Sequence, residues 1–236
     1  MIRPLPCGPA LRYRDVHMSR QVFLRVVIAT LGLVAIGMAP TAAPSPLRVG
    51  VSPDSPPMVF KQGQQVRGLE ADLAAALGDA LGRPVQFVER KWDALFPALE
   101  AGKIDIIMSA VSITRERQTQ VGFCDPYLRT GQMALVRRED LNRYGMGFPD
   151  VLPGPVGVRR GTTGDHLVQQ NYSKAKCRRY SLYEDGAKAL LKKKIALFVG
   201  DGPAVWHLAG RYEAKGLAVV PIMMSSEQYG WAVRRE

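Results

Sequence analysis

Strand-like and helix-like segments alternate along the chain from residue 47, and this alternation constrains the fold more than any other feature of the sequence. The first three predicted strands are the apolar runs 47–51, 85–88 and 104–108. Apolar residues at helical spacing lie between them, Asp93 is placed to cap the second helix, and Gly82 and Gly102 mark helix ends. Because strands separated by helices pair in parallel through right-handed crossovers, the pattern predicts an α/β sheet.

A second series of the same kind follows. After a predicted strand at 133–136, the chain runs through a polar stretch rich in glycine and proline, and then the alternation resumes. The predicted elements are a strand at 156–158, a helix opened by the segment 161–165, a helix at 184–193 and a strand at 195–199. The chain is therefore predicted to contain two α/β units.

Polar side chains follow predicted strands in both units, and open parallel sheets bind ligands beyond the carboxyl ends of their strands. Ser109 and Ser112 follow the third strand, and Arg117 offers a planar fork of donors suited to a carboxylate. In the second unit the segment 161–165 opens a helix, which predicts an anion cradle, and Asp201 stands just past the last strand. These positions predict a polar binding site.

Residues 1–43 are predicted to be a secretory signal peptide. Arg20 and Arg25 precede the uncharged apolar run 26–39, and small residues follow it. Met18 is an alternative start, because the segment before it adds nothing to such a signal. The apolar run is too short to span a membrane comfortably, so the mature chain is predicted to be soluble and exported.

The formal charge of +11 does not indicate a nucleic-acid partner, because the basic residues are scattered and are predicted to be solvated surface. The basic clusters are Arg137-Arg138, Arg159-Arg160, Arg178-Arg179 and Lys192-Lys193-Lys194. Asp54 and Glu70 are interpreted as surface or capping groups, and His166 and His207 lack the spacing of metal ligands. No nucleophile and base are recognisable as a pair, so the sequence predicts no catalytic residues, cofactor or metal.

An ordered set of motifs between residues 47 and 236 resembles the family 3 extracellular solute-binding proteins, the polar amino-acid receptors of bacterial ABC importers. The motifs include Gly68-Leu69-Glu70-Ala71-Asp72-Leu73, Trp92-Asp93-Ala94-Leu95-Phe96, Gly102-Lys103-Ile104-Asp105, Ser112-Ile113-Thr114 through Arg117, Asp125-Pro126-Tyr127, Gly161-Thr162-Thr163 and Gly200-Asp201. Each motif alone is common, whereas their order and spacing together are specific.

The resemblance implies a type II periplasmic-binding-protein fold, in which two α/β lobes close on an amino acid about a hinge. Lobe 1 would comprise 44–128, lobe 2 would comprise 129–226, and 227–236 would be a strand returning to lobe 1. The protein would be a periplasmic monomer that delivers its ligand to an ABC permease complex at the inner membrane.

The residues that match the binding positions of the family are Arg117, Asp201, Thr163, Ser112, Trp92 and Ser109. By resemblance, Arg117 would hold the α-carboxylate of the ligand in a bidentate pair, with Ser112 and Thr163 assisting. Asp201 would accept from the α-ammonium with help from Ser109, and Trp92 would form a wall against the ligand side chain.

Two departures from the family pattern affect what the resemblance implies. Ser55 stands where the family usually has an aromatic residue, and Ser52 stands where an acid would meet a basic side chain, which weakens the case for lysine, arginine or histidine as ligand. The sequence also stops at Glu236, just after the return strand. We therefore expect the last helices of lobe 1 to be missing, in a truncated chain or one completed by a partner.

Two other functions are compatible with the same resemblance. Cyclohexadienyl dehydratases, which act on prephenate or arogenate, share the fold and place a general acid in the cleft, and sensor modules use the fold to bind solutes. An amine-accepting Asp201 together with Arg117 favours the receptor over the enzyme. Cys124 and Cys177 are predicted to be free thiols, because a bridge would join parts that have to move.

Overall fold

The structure, a computed structural model, describes residues 43–235, and the predicted signal peptide lies almost entirely outside them. The strands are β1 (Leu47–Val51), β2 (Asp54–Ser55), β3 (Val59–Gln62), β4 (Gln65–Arg67), β5 (Val85–Glu89), β6 (Ile106–Ile107), β7 (Gly122–Phe123), β8 (Leu128–Thr130), β9 (Gln132–Arg137), β10 (Val156–Arg159), β11 (Cys177–Tyr180), β12 (Leu197–Asp201), β13 (Leu217–Val220), β14 (Glu227–Tyr229) and β15 (Ala232–Val233). The helices are α1 (Leu69–Leu81), α2 (Leu95–Glu100), α3 (Arg115–Gln120), α4 (Thr163–Asn171), α5 (Tyr183–Leu191) and α6 (Gly202–Arg211), and 3-10 turns lie at Trp92–Ala94, Arg138–Tyr144 and Glu213–Lys215.

The strands form two five-stranded sheets with the same plan. The first sheet has the order β5-β1-β6-β15-β7, and the second has the order β11-β10-β12-β9-β13. In each sheet three parallel strands are followed by an antiparallel one, which is β15 in the first sheet and β9 in the second. The prediction of two α/β units with parallel strands is therefore confirmed.

The chain passes between the two sheets twice, and the two passages pair with each other. β8 lies on the way from β7 to β9, and β14 lies on the way back from β13 to β15. Leu128 to Thr130 pair antiparallel with Glu227 to Tyr229, which makes a two-stranded ribbon between the sheets. This ribbon is where a hinge between two lobes would lie.

Each sheet is covered on both faces by apolar side chains. In the first sheet Val49 and Val51 pack with Ala74 of α1 on one face. A side chain at Gly50, which points to the other face, would meet Ile104 and Leu95, so glycine permits their close approach. In the second sheet one cluster joins β9 and β12 to α5 and α6, and another joins β10 to α4. Burying side chains of this size contributes about 1.5–3 kcal/mol each.

Most element boundaries predicted from the sequence are close to those observed. The first helix ends before Gly82, which has φ 61° and caps the helix in the left-handed region. Two local predictions are wrong. Asp93 does not cap α2, because it lies inside a 3-10 turn that leads into that helix. The third strand is shorter than predicted, since ladder pairing is confined to Ile106–Ile107.

Within residues 43–235 no helix combines the length and the apolar character that a membrane crossing requires. Cys124 is exposed and Cys177 is half-buried, and both are free thiols in this part of the chain. They lie on different sheets, because Cys124 follows β7 whereas Cys177 begins β11.

Candidate ligand-binding cleft

A cavity of about 970 Å³ lies between residues of the first sheet unit and residues of the second. Trp92 and Arg117 line it from one side, Gly161 and Thr163 line it from the other, and Glu227 of the connecting ribbon lines it as well. Three of the six residues predicted to bind ligand therefore face this cavity. Ser112 and Asp201 lie among the side chains around the cavity, and Ser109 lies beside the β1–β2 connection.

Arg117 lies in the short helix α3, whose first turn is capped by the Thr114 hydroxyl. Its Nη1 donates to the Ser112 carbonyl oxygen at 2.9 Å, and its Nη2 reaches the Gly161 carbonyl oxygen at 3.5 Å. Burial lowers the pKa of the Arg117 guanidinium, and the charges of Asp201 and Glu227 oppose that shift. Because a guanidinium is not deprotonated in proteins, Arg117 is a cation beside the acidic groups of Asp201 and Glu227.

Trp92, predicted to form a wall against the ligand side chain, lines the cleft. The side chain is buried, and its Nε1 donates to the Gly161 carbonyl oxygen at 3.0 Å. The guanidinium carbons of Arg117 and Arg159 lie 5.3 Å and 5.1 Å from the centroid of its ring. The ring therefore holds two cations by cation–π interactions and links the two units through Gly161.

Ser112 and Thr163 come together, with 3.5 Å between their hydroxyl oxygens. Both hydroxyls donate to the same oxygen of Glu227, at 2.5 Å from Ser112 and 2.8 Å from Thr163. The sequence analysis did not single out Glu227. The Glu227 carboxylate thus accepts hydrogen bonds from the two hydroxyls that were predicted to bind the carboxylate of a ligand.

Asp201 ends β12 and is buried. Gln132 Nε2 donates to Asp201 Oδ1 at 2.5 Å and also reaches the Thr163 hydroxyl at 2.9 Å, and the Tyr183 hydroxyl donates to Asp201 Oδ2. Burial raises the pKa of Asp201, and the nearby charge of Glu227 raises it further. Gln132 was missed because it reads as the polar residue before an apolar strand, and only the pairing of β9 with β12 places it opposite Asp201.

Ser109 is buried, and its Oγ accepts from the Ser52 backbone N–H at 2.9 Å. In this structure it holds the turn that follows β1.

The anion cradle predicted at 161–165 is largely used by the chain itself. The Thr162 hydroxyl caps α4 by accepting from the Asp165 N–H, and the Gly161 N–H donates to Asp165 Oδ2 at 3.1 Å. Asp165 is in turn paired with Arg179 at 2.9 Å. Of this segment, the Thr163 hydroxyl and the Gly161 carbonyl oxygen reach the cleft residues.

Arg159 was predicted to be part of a solvated basic cluster, and this prediction is wrong. The residue is only 3% exposed, whereas its neighbour Arg160 is exposed. Its Nη2 donates to Asp54 Oδ1 at 2.6 Å and to the Ser52 hydroxyl at 2.9 Å. Asp54 was interpreted as a surface group, but it is half-buried and paired with Arg159. The ion pair joins the end of β10 to the turn after β1.

Glu70 was also interpreted as a surface or capping group, but it is fully buried. Its Oε1 accepts from the Ala110 N–H at 2.6 Å and from the Tyr127 hydroxyl, and its Oε2 accepts from Trp231 Nε1 at 3.0 Å. Burial raises the pKa of Glu70, and these three donors oppose the shift. The carboxylate thus joins α1 to three segments that are distant in sequence.

His166 lies at the exposed rim of the cavity. Among residues 43–235, no group of three histidine, cysteine, aspartate or glutamate side chains is placed to hold a metal ion.

Comparison with known proteins agrees with this arrangement. The family described as bacterial extracellular solute-binding proteins, family 3, matches residues 47–202 of the chain. A probable histidine-binding protein of Neisseria gonorrhoeae is 29% identical over 237 residues, an alignment that covers 93% of this chain and 85% of the relative.

Solved structures resemble the chain over most of its length. The arginine-bound form of truncated ArgBP from T. maritima has a TM-score of 0.70 and 33% identity, over 80% of this chain and 88% of that one. An ancestral amino acid-binding protein, a precursor of cyclohexadienyl dehydratase, has a TM-score of 0.69 and 34% identity, over 81% and 82% of the two chains. These relatives are named as binding proteins, so the dehydratase alternative is not favoured. The chain belongs to the family 3 bacterial extracellular solute-binding proteins and has their type II periplasmic-binding fold.

Proposed function

We propose that the protein binds an amino acid between its two lobes in the periplasm and delivers it to an ABC permease complex at the inner membrane. The proposal is carried by one observation, the presence of the Arg117 guanidinium and the Asp201 carboxylate around one hydroxyl cluster. A zwitterion needs a group of donors and an acceptor-only group in a site shielded from water.

Each binding residue has a role that follows from its chemistry. Arg117 holds the α-carboxylate through its fork of donors, and the hydroxyls of Ser112 and Thr163 complete that subsite. The α-carboxylate replaces Glu227 on these two hydroxyls. Asp201 accepts from the α-ammonium, because a carboxylate is the strongest acceptor available to it.

The lobes are the two sheet units, with boundaries near residues 128 and 226, and the ribbon of β8 and β14 is the hinge. Because Arg117 and Asp201 come from different units, the closed form binds the ligand better than the open form. Binding therefore shifts the population toward closure, and the permease would engage the closed form. Trp92 forms the wall beside the ligand, and Ser109 supports the site through Ser52.

The test is thermal unfolding of the purified chain with amino acids and with analogues that lack one charge. A bound amino acid should raise the melting temperature by mass action. The amine without the α-carboxylate and the carboxylic acid without the α-ammonium should each stabilise the chain far less. Equal stabilisation by a zwitterion and by either analogue would contradict the proposal, as would the lack of stabilisation by every amino acid.

The pH dependence of binding gives a separate prediction. A proton on Asp201 removes the acceptor for the α-ammonium, so affinity should fall as the pH is lowered. Because burial raises the pKa of Asp201, the fall should begin above the pH at which an ordinary aspartate titrates. Calorimetry between pH 8 and pH 5 measures this, and an affinity that stays constant or rises on acidification would contradict it. In Asp201→Asn the affinity should be low and should depend less on pH.

A further inference from the structure

The side chain of Arg159 is a buried cation held in one position behind the cleft wall that Trp92 forms. Its guanidinium carbon lies 5.1 Å from the centroid of the Trp92 ring and 5.0 Å from that of Tyr183. Nη2 donates to Asp54 and to Ser52, and Nε reaches the Ser181 carbonyl oxygen at 3.5 Å. Within residues 43–235, Nη1 has no hydrogen-bond acceptor. The cation therefore keeps donors for another group.

Asp54 offers a hydrogen-bond acceptor beside the free donor of Arg159. Its Oδ1 accepts from Arg159 at 2.6 Å and from the Ser52 hydroxyl at 3.2 Å. Its Oδ2 is buried and has no hydrogen-bond partner in the described part of the chain. A buried acceptor without a donor is destabilising, so a ligand that supplies a donor there gains affinity.

The ion pair lies between two cavities. Trp92 lines the cavity of about 970 Å³ that contains Arg117, whereas Asp54 and Tyr183 line another cavity of about 680 Å³. Arg159 contacts all three of these side chains. A ligand whose α-carboxylate is held at Arg117 would extend its side chain toward this pair.

The charges of the pair select among ligand side chains. A cationic side chain would approach the Arg159 guanidinium, and an acidic one would approach the Asp54 carboxylate, which is unfavourable in both cases. The charges of Arg159 and Asp54 cancel each other. A cationic or an acidic ligand side chain would therefore add an uncompensated charge to this buried region. A carboxamide adds no charge, and it offers a carbonyl oxygen to Arg159 Nη1 and an NH₂ group to Asp54 Oδ2.

We propose that Arg159 and Asp54 form the side-chain subsite of the cleft and make the chain a receptor for glutamine or asparagine. This inference rests on the proposed function, because it names the ligand of the same site. It also separates the chain from the relatives named for histidine and arginine. In this chain the Arg159 guanidinium already lies against the aromatic rings and the Asp54 carboxylate, which are the groups that would suit a cationic ligand side chain.

The first test is calorimetric titration of the purified chain with glutamine, asparagine, glutamate, arginine and histidine. Glutamine or asparagine should bind at least about tenfold more tightly than the charged amino acids, which is about 1.4 kcal/mol. Tightest binding of glutamate, arginine or histidine would overturn this inference and leave the proposed function standing. The absence of binding by all amino acids would overturn both.

The second test uses variants of the pair. Arg159→Met keeps the length of the side chain and removes the cation, and it should weaken glutamine binding by about tenfold or more. Arg160→Met is the matched control, since its side chain is exposed, and it should bind as the parent does. In Asp54→Asn the charge that opposes an acidic ligand is gone, so the ratio of glutamate to glutamine affinity should rise. An unchanged ratio in a folded Asp54→Asn protein would overturn the inference.

Discussion

Replacing Arg117 with alanine is expected to weaken amino-acid binding severely. The residue lines the cleft, and its planar guanidinium is the donor group suited to the ligand carboxylate. Truncating one partner of a buried charge pair costs about 2–5 kcal/mol, so affinity should fall by roughly 30-fold to several thousand-fold. Calorimetry with the ligand that stabilises the parent chain measures the loss.

Two controls separate the chemistry of Arg117 from its charge. Arg115→Ala removes an exposed arginine from the same helix and should leave affinity within about twofold. Arg117→Lys keeps the charge but loses the planar fork, so its affinity should lie between those of the parent and the alanine variant. Full affinity in Arg117→Ala would refute the assigned carboxylate subsite.

Replacing Glu70 with alanine is expected to cause a large loss of stability. The change would leave the Ala110 N–H, the Tyr127 hydroxyl and the Trp231 indole N–H without their acceptor. Each buried donor left without a partner costs about 1–3 kcal/mol, so the free energy of unfolding should fall by roughly 3–5 kcal/mol. Urea unfolding of parent and variant gives the difference.

The control for Glu70 is Asp72→Ala, which removes an exposed acid from the first turn of the same helix. It should cost at most about 1 kcal/mol, the size of a helix-dipole effect. Glu70→Gln keeps the shape and one acceptor oxygen, and its loss should be smaller than that of Glu70→Ala. A Glu70→Ala protein as stable as Asp72→Ala would show that the three donors find other partners.

Local sequence was sufficient to predict the framework of the site. The period of apolar residues identified the strands, and the polar residues after them identified Arg117, Ser112, Thr163 and Asp201. This succeeds because parallel strands in one sheet bring their carboxyl ends to the same edge, whatever the details of packing. The helix end at Gly82 was also predictable from local sequence, because a left-handed cap depends on a single residue.

Residues whose role depends on a distant partner were not predictable in this way. Arg159 and Arg160 are adjacent and chemically identical, yet one is buried and the other is exposed. Arg159 is the last residue of β10, whereas Arg160 lies in the turn that follows, and the pairing of β10 with its neighbours places Arg159 beside Asp54. The sequence motif alone is compatible with either outcome.

The amino-acid sequence by itself determined that this chain forms two α/β units with a polar site at the strand ends. These properties follow from local periodicity and from residues at strand and helix termini. Only the tertiary structure decided which charges meet inside the cleft. Glu227 on the hydroxyls of Ser112 and Thr163, Gln132 against Asp201, and Arg159 against Asp54 are joined across long stretches of chain. Contacts between distant segments set the balance of charges among the residues of the site.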